Sequence, residues 1–277
     1  IAIDGTIARF IVCGRDVSRA ATLWVAMTWF MDEVQVAPLA VITSPEKRCG
    51  KSLLLSLMGR LSARPITASN ITPAALYRTI EAFQPTLLID EADTFMKAHE
   101  ELQGIINSGH TRDSAYVIRT VGENFTPTRF RTWGAKAIAC IGRVAGTVMD
   151  RAIVLELRRK MPHEKVDRVR YVDPALFDEL RSKLARFAAD YREQVRQAQP
   201  PLPDDLDDRA QDNWEPLLAI AMTAGSEWLN IATSTAVSIS GQENAVPTIG
   251  TELLADIRAA FENAMGDGYL RRIFFRY

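Results

Sequence analysis

The chain alternates short, wholly apolar runs with longer stretches whose apolar residues recur every three or four positions. Leu39 to Thr43 (LAVIT), bounded by Pro38 and Ser44, suits a buried strand. Thr86 to Asp90 (TLLID), Lys136 to Ile141 and Ala152 to Leu157 have the same character, and Arg64 to Ala68 supplies a fifth strand. Between them the pattern predicts helices from Lys51 to about Leu61, from Pro73 to Phe83 and near Lys97 to Asn107, with a hairpin-like segment from Ala115 to Arg131. Thr72 is placed to cap the second of these helices, with Pro73 at its first position. Five mainly parallel strands with helical crossovers imply an α/β sheet flanked by helices on both faces.

The pattern then changes. Val172 to Gln199 opens with Asp173-Pro174 and carries Leu176, Leu180, Leu184, Phe187, Tyr191 and Val195 at helical spacing, which reads as a core-packing stripe. The prolines and acids of Gln199 to Asp208 (QPPLPDDLDD) end that helix in a loop, and another helical segment starts at Arg209. Ile231 to Thr248, rich in Ser and Thr with Gly241 and Pro247, reads as a poorly packed connection before a last helix from Thr251 to Met265. The expected division is an α/β core over 1–172 and a smaller helical, lid-like part with the start of a C-terminal segment over 173–277. No internal repeat is visible.

Composition narrows the classes. A chain of 277 residues, 47% of them hydrophobic, buries a large core. A formal charge of -1 provides no global basic field for nucleic acid or anionic lipid, so any DNA contact has to be local. Cys13, Cys49 and Cys140 are widely spaced, with no CxxC, and fit neither a disulfide framework nor a zinc site, pointing to a reducing cytoplasm. His99, His110 and His163 stand apart from each other, which favours solvated or capping roles over a protein-only metal centre. The longest apolar run, Ala20 to Met31, falls short of the roughly 18 to 20 residues of a membrane span and reads as a buried helix, so no membrane partner is expected. The start at Ile1, without Met or signal pattern, suggests a piece of a longer chain.

The chemistry lies in TSPEKRCGKSLLL, Thr43 to Leu55, which leaves the first strand and enters a helix. A phosphate-binding loop needs backbone N–H groups around a phosphate, a lysine for its oxygens and a hydroxyl for magnesium at a helix start, where the dipole favours anions. Gly50, Lys51 and Ser52 supply these, with Pro45, Glu46, Lys47, Arg48 and Cys49 as the rest of the nucleotide-binding loop. Pro45 stands where a flexible glycine is usual and has no N–H, so the loop entrance has to be shaped differently, with Lys47 and Arg48 adding charge. Downstream, the apolar strand TLLID ends in Asp90-Glu91. Asp90 is expected at a strand end adjacent to the loop, holding magnesium through water, and Glu91 is expected to polarise the attacking water. The competing reading is a solvated acidic cap on the next helix.

These residues resemble AAA+ type P-loop ATPases that have an extra strand between the two nucleotide-binding motifs. SPEKRCGKS, TLLIDEADT, INSGHTR, MDRAIVLELRRK and DNWEPLLAIA look like an uncharacterised family of phage, plasmid and actinobacterial proteins often found beside primase or helicase modules. The resemblance spans roughly residues 20–228. It implies ATP and Mg²⁺ as cofactors, assembly into a homo-oligomer such as a ring, and Arg151 as a catalytic arginine reaching a neighbouring subunit. It also implies Arg209 as a lid arginine sensing the γ-phosphate. The surface alternatives are an Arg151 paired with Asp150 and an ordinary exposed Arg209.

The chain departs from the family pattern after the fourth strand: Gly142-Arg143 replaces the usual polar group, leaving Arg143 or Asn107-Ser108 as substitutes, or slow hydrolysis. The expected function is an ATP-hydrolysing motor on DNA, helicase- or translocase-like, in replication or mobile-element maintenance. The alternative is an ATP-gated switch or scaffold in a mobile-element or defence complex, and a small-molecule kinase ranks last because it needs no Glu91. The DNA candidate is the stretch with Arg112, Arg119, Arg129, Arg131 and Lys136 interleaved with Tyr116, Phe125, Phe130 and Trp133, suited to a single strand. The bland alternative has these aromatics packed under the hairpin and the arginines paired with acids.

Overall fold

The computed structural model describes residues 2–69, 71–92, 100–142, 144–244 and 257. The chain divides into two compact units, 1–240 and 241–277. Strands Leu39–Thr43 (β1), Pro65–Ala68 (β2), Thr86–Ile89 (β3), Tyr116–Val121 (β4), Thr126–Arg131 (β5), Lys136–Ala139 (β6) and Ala152–Glu156 (β7) form two sheets. The larger has the order β2-β3-β6-β1-β7, with every neighbouring pair parallel. The smaller is the antiparallel ribbon β4-β5. β6 lies between β1 and β3, so the strand ends carrying the loop and Asp90 are not adjacent as expected; one strand separates them.

The helices are Ala2–Phe10 (α1), Arg15–Met27 (α2), Lys51–Leu61 (α3), Pro73–Phe83 (α4), Glu100–Ser108 (α5), Gly146–Met149 (α6), Ala175–Gln197 (α7), Asp208–Ala224 (α8) and Ser226–Asn244 (α9). Successive strand residues point to opposite faces, and the five buried positions of β1 show the result. Ala40 and Ile42 enter a core shared with α1, α2, α3, α7 and α8, whereas Leu39 and Val41 enter a second core with α4 and α5. The apolar runs are continuous because both faces of the sheet are covered.

Local signals fix the ends. Thr72 Oγ1 accepts a hydrogen bond from the Ala75 N–H at 3.3 Å, capping α4, and Asp207 caps α8 through Ala210 N–H at 2.8 Å. A Cβ on Gly59 would sit 2.4 Å from Leu88 Cδ1, so glycine lets α3 approach β3 closely.

Three expectations change. Residues 226–244 form a helix, not a loose connection: Ala232, Thr235, Ala236 and Ile239 recur at helical spacing and are buried, small residues doing the packing. Tyr191, placed on the core stripe of α7, is 40% exposed and instead stacks on Phe187. The apolar helix around Ala20 begins earlier, at Arg15, and ends at Met27. Asp93, His99, Arg143 and the predicted last helix, except residue 257, lie outside the described residues.

Candidate functional site

The loop leaves the C-terminal end of β1 and delivers Lys51 and Ser52 to the first turn of α3. Gly50 caps that helix at φ 90°, in the left-handed region, and a Cβ there would also meet Ile11 Cδ1 at 3.1 Å. The conformation therefore favours glycine, and a side chain would also crowd Ile11. Arg48 is left-handed too, at φ 66°. Pro45, Glu46, Lys47 and Arg48 are exposed, whereas Cys49 turns inward at 5% exposure with its thiol 3.4 Å from the Glu46 carbonyl. Lys51 Nζ donates to Ser44 Oγ at 2.6 Å and to the Glu46 carbonyl at 3.2 Å, and Ser44 Oγ donates to that same carbonyl at 2.7 Å. The first-turn amides of α3 have no intrahelical acceptor, which gives the loop an anion-binding end.

Asp90 follows β3, its N–H bonded to the Ala68 carbonyl at 3.1 Å. Its Oδ1 accepts from the Glu91 N–H at 2.9 Å. Glu91 is exposed and left-handed at φ 54°, an unfavourable conformation for a residue with a side chain and one that clusters at functional sites. Despite the intervening strand, Ser52 and Asp90 line one cavity of about 480 Å³ with Ser56, Arg60, Thr67 and Arg181. A hydroxyl and a carboxylate are hard oxygen donors, the set that suits Mg²⁺ bridging to phosphate. Arg60 and Arg181 add positive charge at the same cavity. Sequence reasoning missed them because each occupies an exposed position between the core residues of its helix, indistinguishable from a solvated face.

Arg151 and Arg209 lie elsewhere. The Arg151 carbonyl accepts from Leu39 N–H at 2.9 Å, which places Arg151 beside the beginning of β1, at the sheet edge opposite the loop. Its guanidinium donates to the Thr147 carbonyl at 2.8 Å. His110 is buried here, correcting the expected solvated or capping role. Its Nε2 donates to Asn213 Oδ1 at 2.8 Å, and Asn213 Nδ2 donates to the Asp150 carbonyl at 3.0 Å. Burial pushes the imidazole below its ordinary pKa, the Asn213 bond opposes this, and the charges of Arg151 and Arg209 reinforce it. Arg209 is thus grouped with Arg151 and His110, not with the loop.

Asn107 belongs to the same neighbourhood, donating to Thr147 Oγ1 at 3.2 Å, and Ser108 Oγ bonds Thr132 Oγ1 at 3.0 Å ahead of β6. Neither substitutes for a polar group at the far end of the fourth sheet strand. Gly142 at that end accepts from Thr43 Oγ1 through its carbonyl.

The ribbon β4-β5 divides its residues by face. Phe130 packs on Tyr77 with ring centroids 4.6 Å apart, and Arg119 pairs with Glu101 at 2.8 Å. Lys136 is fully buried, its amine bonded to the Thr132 and Gly134 carbonyls and its pKa pushed down to about 7 by burial. The outward face carries Tyr116, Ile118, Arg129 and Arg131. Of the predicted basic, aromatic stretch, Lys136 is therefore internal and Arg119 and Phe130 are partnered, whereas Phe125 in the turn is 74% exposed.

Among the described residues, no group of three or more His, Cys, Asp or Glu could hold a metal, and no helix is long and apolar enough to cross a membrane. The cysteines are free thiols, Cys49 and Cys140 buried.

Residues 156–271 match the family model described as "Protein of unknown function (DUF3631)". A curated protein of Saccharopolyspora erythraea, "Uncharacterized 28.9 kDa protein in xis 5'region", is 34% identical over 108 residues, 38% of this chain and 40% of that protein. The chain thus covers well under half of that relative's length.

Proposed function

We propose that the chain is an AAA+ type P-loop ATPase that binds Mg²⁺-ATP and hydrolyses it in a homo-oligomer. One observation carries the reading: a loop with left-handed Arg48 and Gly50 enters α3 so that Ser52 shares a cavity with Asp90 from the end of a separate parallel strand. The carboxyl ends of such strands are where α/β sheets bind ligands.

In this reading Lys51 releases Ser44 and the Glu46 carbonyl to contact phosphate oxygens, and the α3 amides of Lys51 and Ser52 face the anion. Ser52 Oγ, and Asp90 through water, would hold Mg²⁺, which would offset phosphate charge. Glu91 orients and deprotonates the attacking water. Pro45 shapes the loop entrance, and Glu46, Lys47, Arg48 and Cys49 form its wall. Arg151 serves a neighbouring subunit's site, because its own loop lies at the other sheet edge; Arg209, beside it, acts across the same boundary. Turnover of ATP by the purified protein, present in the parent and lost in Lys51→Ala, tests the assignment.

The proposed task is that of a motor on DNA, with the outward face of β4-β5 as the contact. A second reading, an ATP-gated switch without helicase activity, is favoured by the internal pairing of Arg119 and the burial of Lys136. Stimulation of turnover by single-stranded DNA supports the motor; DNA-independent turnover with no DNA binding supports the switch.

A further inference from the structure

A cleft of about 550 Å³ lies away from the loop. It opens at the N-terminal edge of the sheet, where Arg64 and Thr86 precede or begin β2 and β3 and Trp133 precedes β6. Four arginines from three separate segments line it: Arg64, Arg112, Arg129 and Arg131. Two are held in place. Arg112 donates to the Asp32 and Val34 carbonyls at 2.7 and 3.3 Å and sits 5.5 Å from the Trp133 ring centroid. Arg129 lies 3.6 Å from the Tyr116 ring centroid.

The other two guanidiniums, of Arg64 and Arg131, have no hydrogen-bond acceptor or carboxylate partner among the described residues. The three acids lining the cleft, Asp32, Glu81 and Asp113, form no ion pair with them: Asp32 faces Arg112 at 3.8 Å, and Glu81 accepts from the Arg131 backbone N–H. Arg64 also has a left-handed backbone, φ 46°, and so does Gln84 at φ 44° on the same cleft. Gln84 is explained as the end of α4. Arg64 bears a long charged side chain in that conformation, and its guanidinium has no partner among the described residues. Of five such residues in the described chain, two flank the nucleotide loop and its acids, two line this cleft, and the fifth, Phe125, is in the hairpin turn.

We propose that this cleft is a second anion site, distinct from the loop, that takes a terminal phosphate (a phosphomonoester) on a ligand of about mononucleotide size. The volume falls within the roughly 300–1,000 Å³ usual for small-ligand sites. The planar forks of Arg64 and Arg131 suit two phosphate oxygens each. Trp133 and the Tyr116–Arg129 pair offer flat surfaces for a ring, and Glu81 and Asp113 offer acceptors for hydroxyl or amino groups. The shared chemistry could arrive on a free nucleotide or on the 5′ end of a nucleic acid.

Equilibrium binding of AMP, of a short 5′-phosphorylated oligothymidine and of its 5′-hydroxyl counterpart separates these sources. It is measured on the parent protein, Arg64→Ala/Arg131→Ala and Lys51→Ala. Saturable binding of AMP, or of the phosphorylated oligonucleotide over the hydroxyl one, is expected. It should fall by about 10-fold or more for each arginine removed and persist in Lys51→Ala. AMP binding identifies a free nucleotide; binding confined to the phosphorylated oligonucleotide identifies a nucleic-acid end. Both arginines are exposed, so the melting temperature of the double variant should match the parent, and Arg64→Lys/Arg131→Lys should bind at an intermediate level if fold and charge alone are kept. The proposal is overturned by equal binding of the two oligonucleotides with no binding of AMP, by unchanged binding in the double alanine variant, or by no binding at all. Loss in Lys51→Ala alone would place the probe in the loop, overturning the cleft and leaving the ATPase reading intact.

Discussion

At the C-terminal edge of the sheet, the candidate nucleotide site is built from a nearly continuous stretch, Ser44 to Ser52, plus the pair Asp90-Glu91. At the N-terminal edge, Arg151, His110, Asn213 and the arginine cleft draw on segments more than a hundred residues apart, as the His110–Asn213 bond shows. The first edge needs a tight backbone turn, which only contiguous residues can make. The second needs charge in the right place, and long arginine side chains can deliver that from several elements.

The contrast is sharpest in how each edge treats a lysine. Lys51 is partly exposed and polar-bonded, whereas Lys136, ahead of the cleft, is buried with a pKa lowered from 10.5 to about 7. Because the folded value lies below the unfolded one, the unfolded chain binds more protons between these values. Stability should therefore rise with pH from about 7 to 10.5, by an amount on the order of 5 kcal/mol at most. Denaturant midpoints across that range, compared with Lys136→Met, should show the rise in the parent alone. An equal rise in both proteins would mean that burial of this amine is tolerated by water or structural relaxation.

Next in size is Arg151→Ala. If Arg151 serves a neighbour, ATP turnover should fall on the order of 10³-fold, and parental activity per chain should rise with protein concentration. Mixing Arg151→Ala with Lys51→Ala should restore part of the activity. A concentration-independent monomeric enzyme would leave Arg151 as an anchor for Thr147.

At the other edge, Glu91→Gln should keep ATP binding but lose turnover by about 10²-fold or more, while Lys51→Ala should weaken binding itself. Equilibrium binding with a fluorescent ATP analogue, alongside phosphate release, separates the two. Equal turnover in both variants and the parent would remove the site from this edge.

The smallest expected effect is Gly59→Ala. The added methyl meets Leu88, so it should cost about 1–3 kcal/mol in a urea titration. By pushing α3 from β3 it should also separate Ser52 from Asp90 and weaken Mg²⁺-dependent binding more than metal-free binding.

The sheet was legible because burial on both faces leaves each strand as an unbroken apolar run, and β1 and α3 begin and end where the pattern predicts. Strand order was not: nothing in Leu39–Thr43 or Thr86–Ile89 records that β6 inserts between them, since order is settled by how crossovers pack. The helix 226–244 was hidden because Ala, Ser and Thr carry little hydrophobic contrast, and α1 was passed over for want of a long apolar stripe. Loop residues could be read from local chemistry. Arg60, Arg64 and Arg181 could not, because an arginine beside a cavity and one in bulk water have the same sequence context.

Lys51 gives the loop one more property. Its ammonium is already satisfied by two oxygens of the same loop, so in the proposed reading an incoming phosphate would displace an internal surrogate rather than water. The loop is in this sense its own competitor. If the loop binds nucleotide as proposed, its apparent affinity would scale with the fraction of chains in which the lysine is free, and anything that draws Ser44 or the Glu46 carbonyl away would sensitise the site without touching the nucleotide.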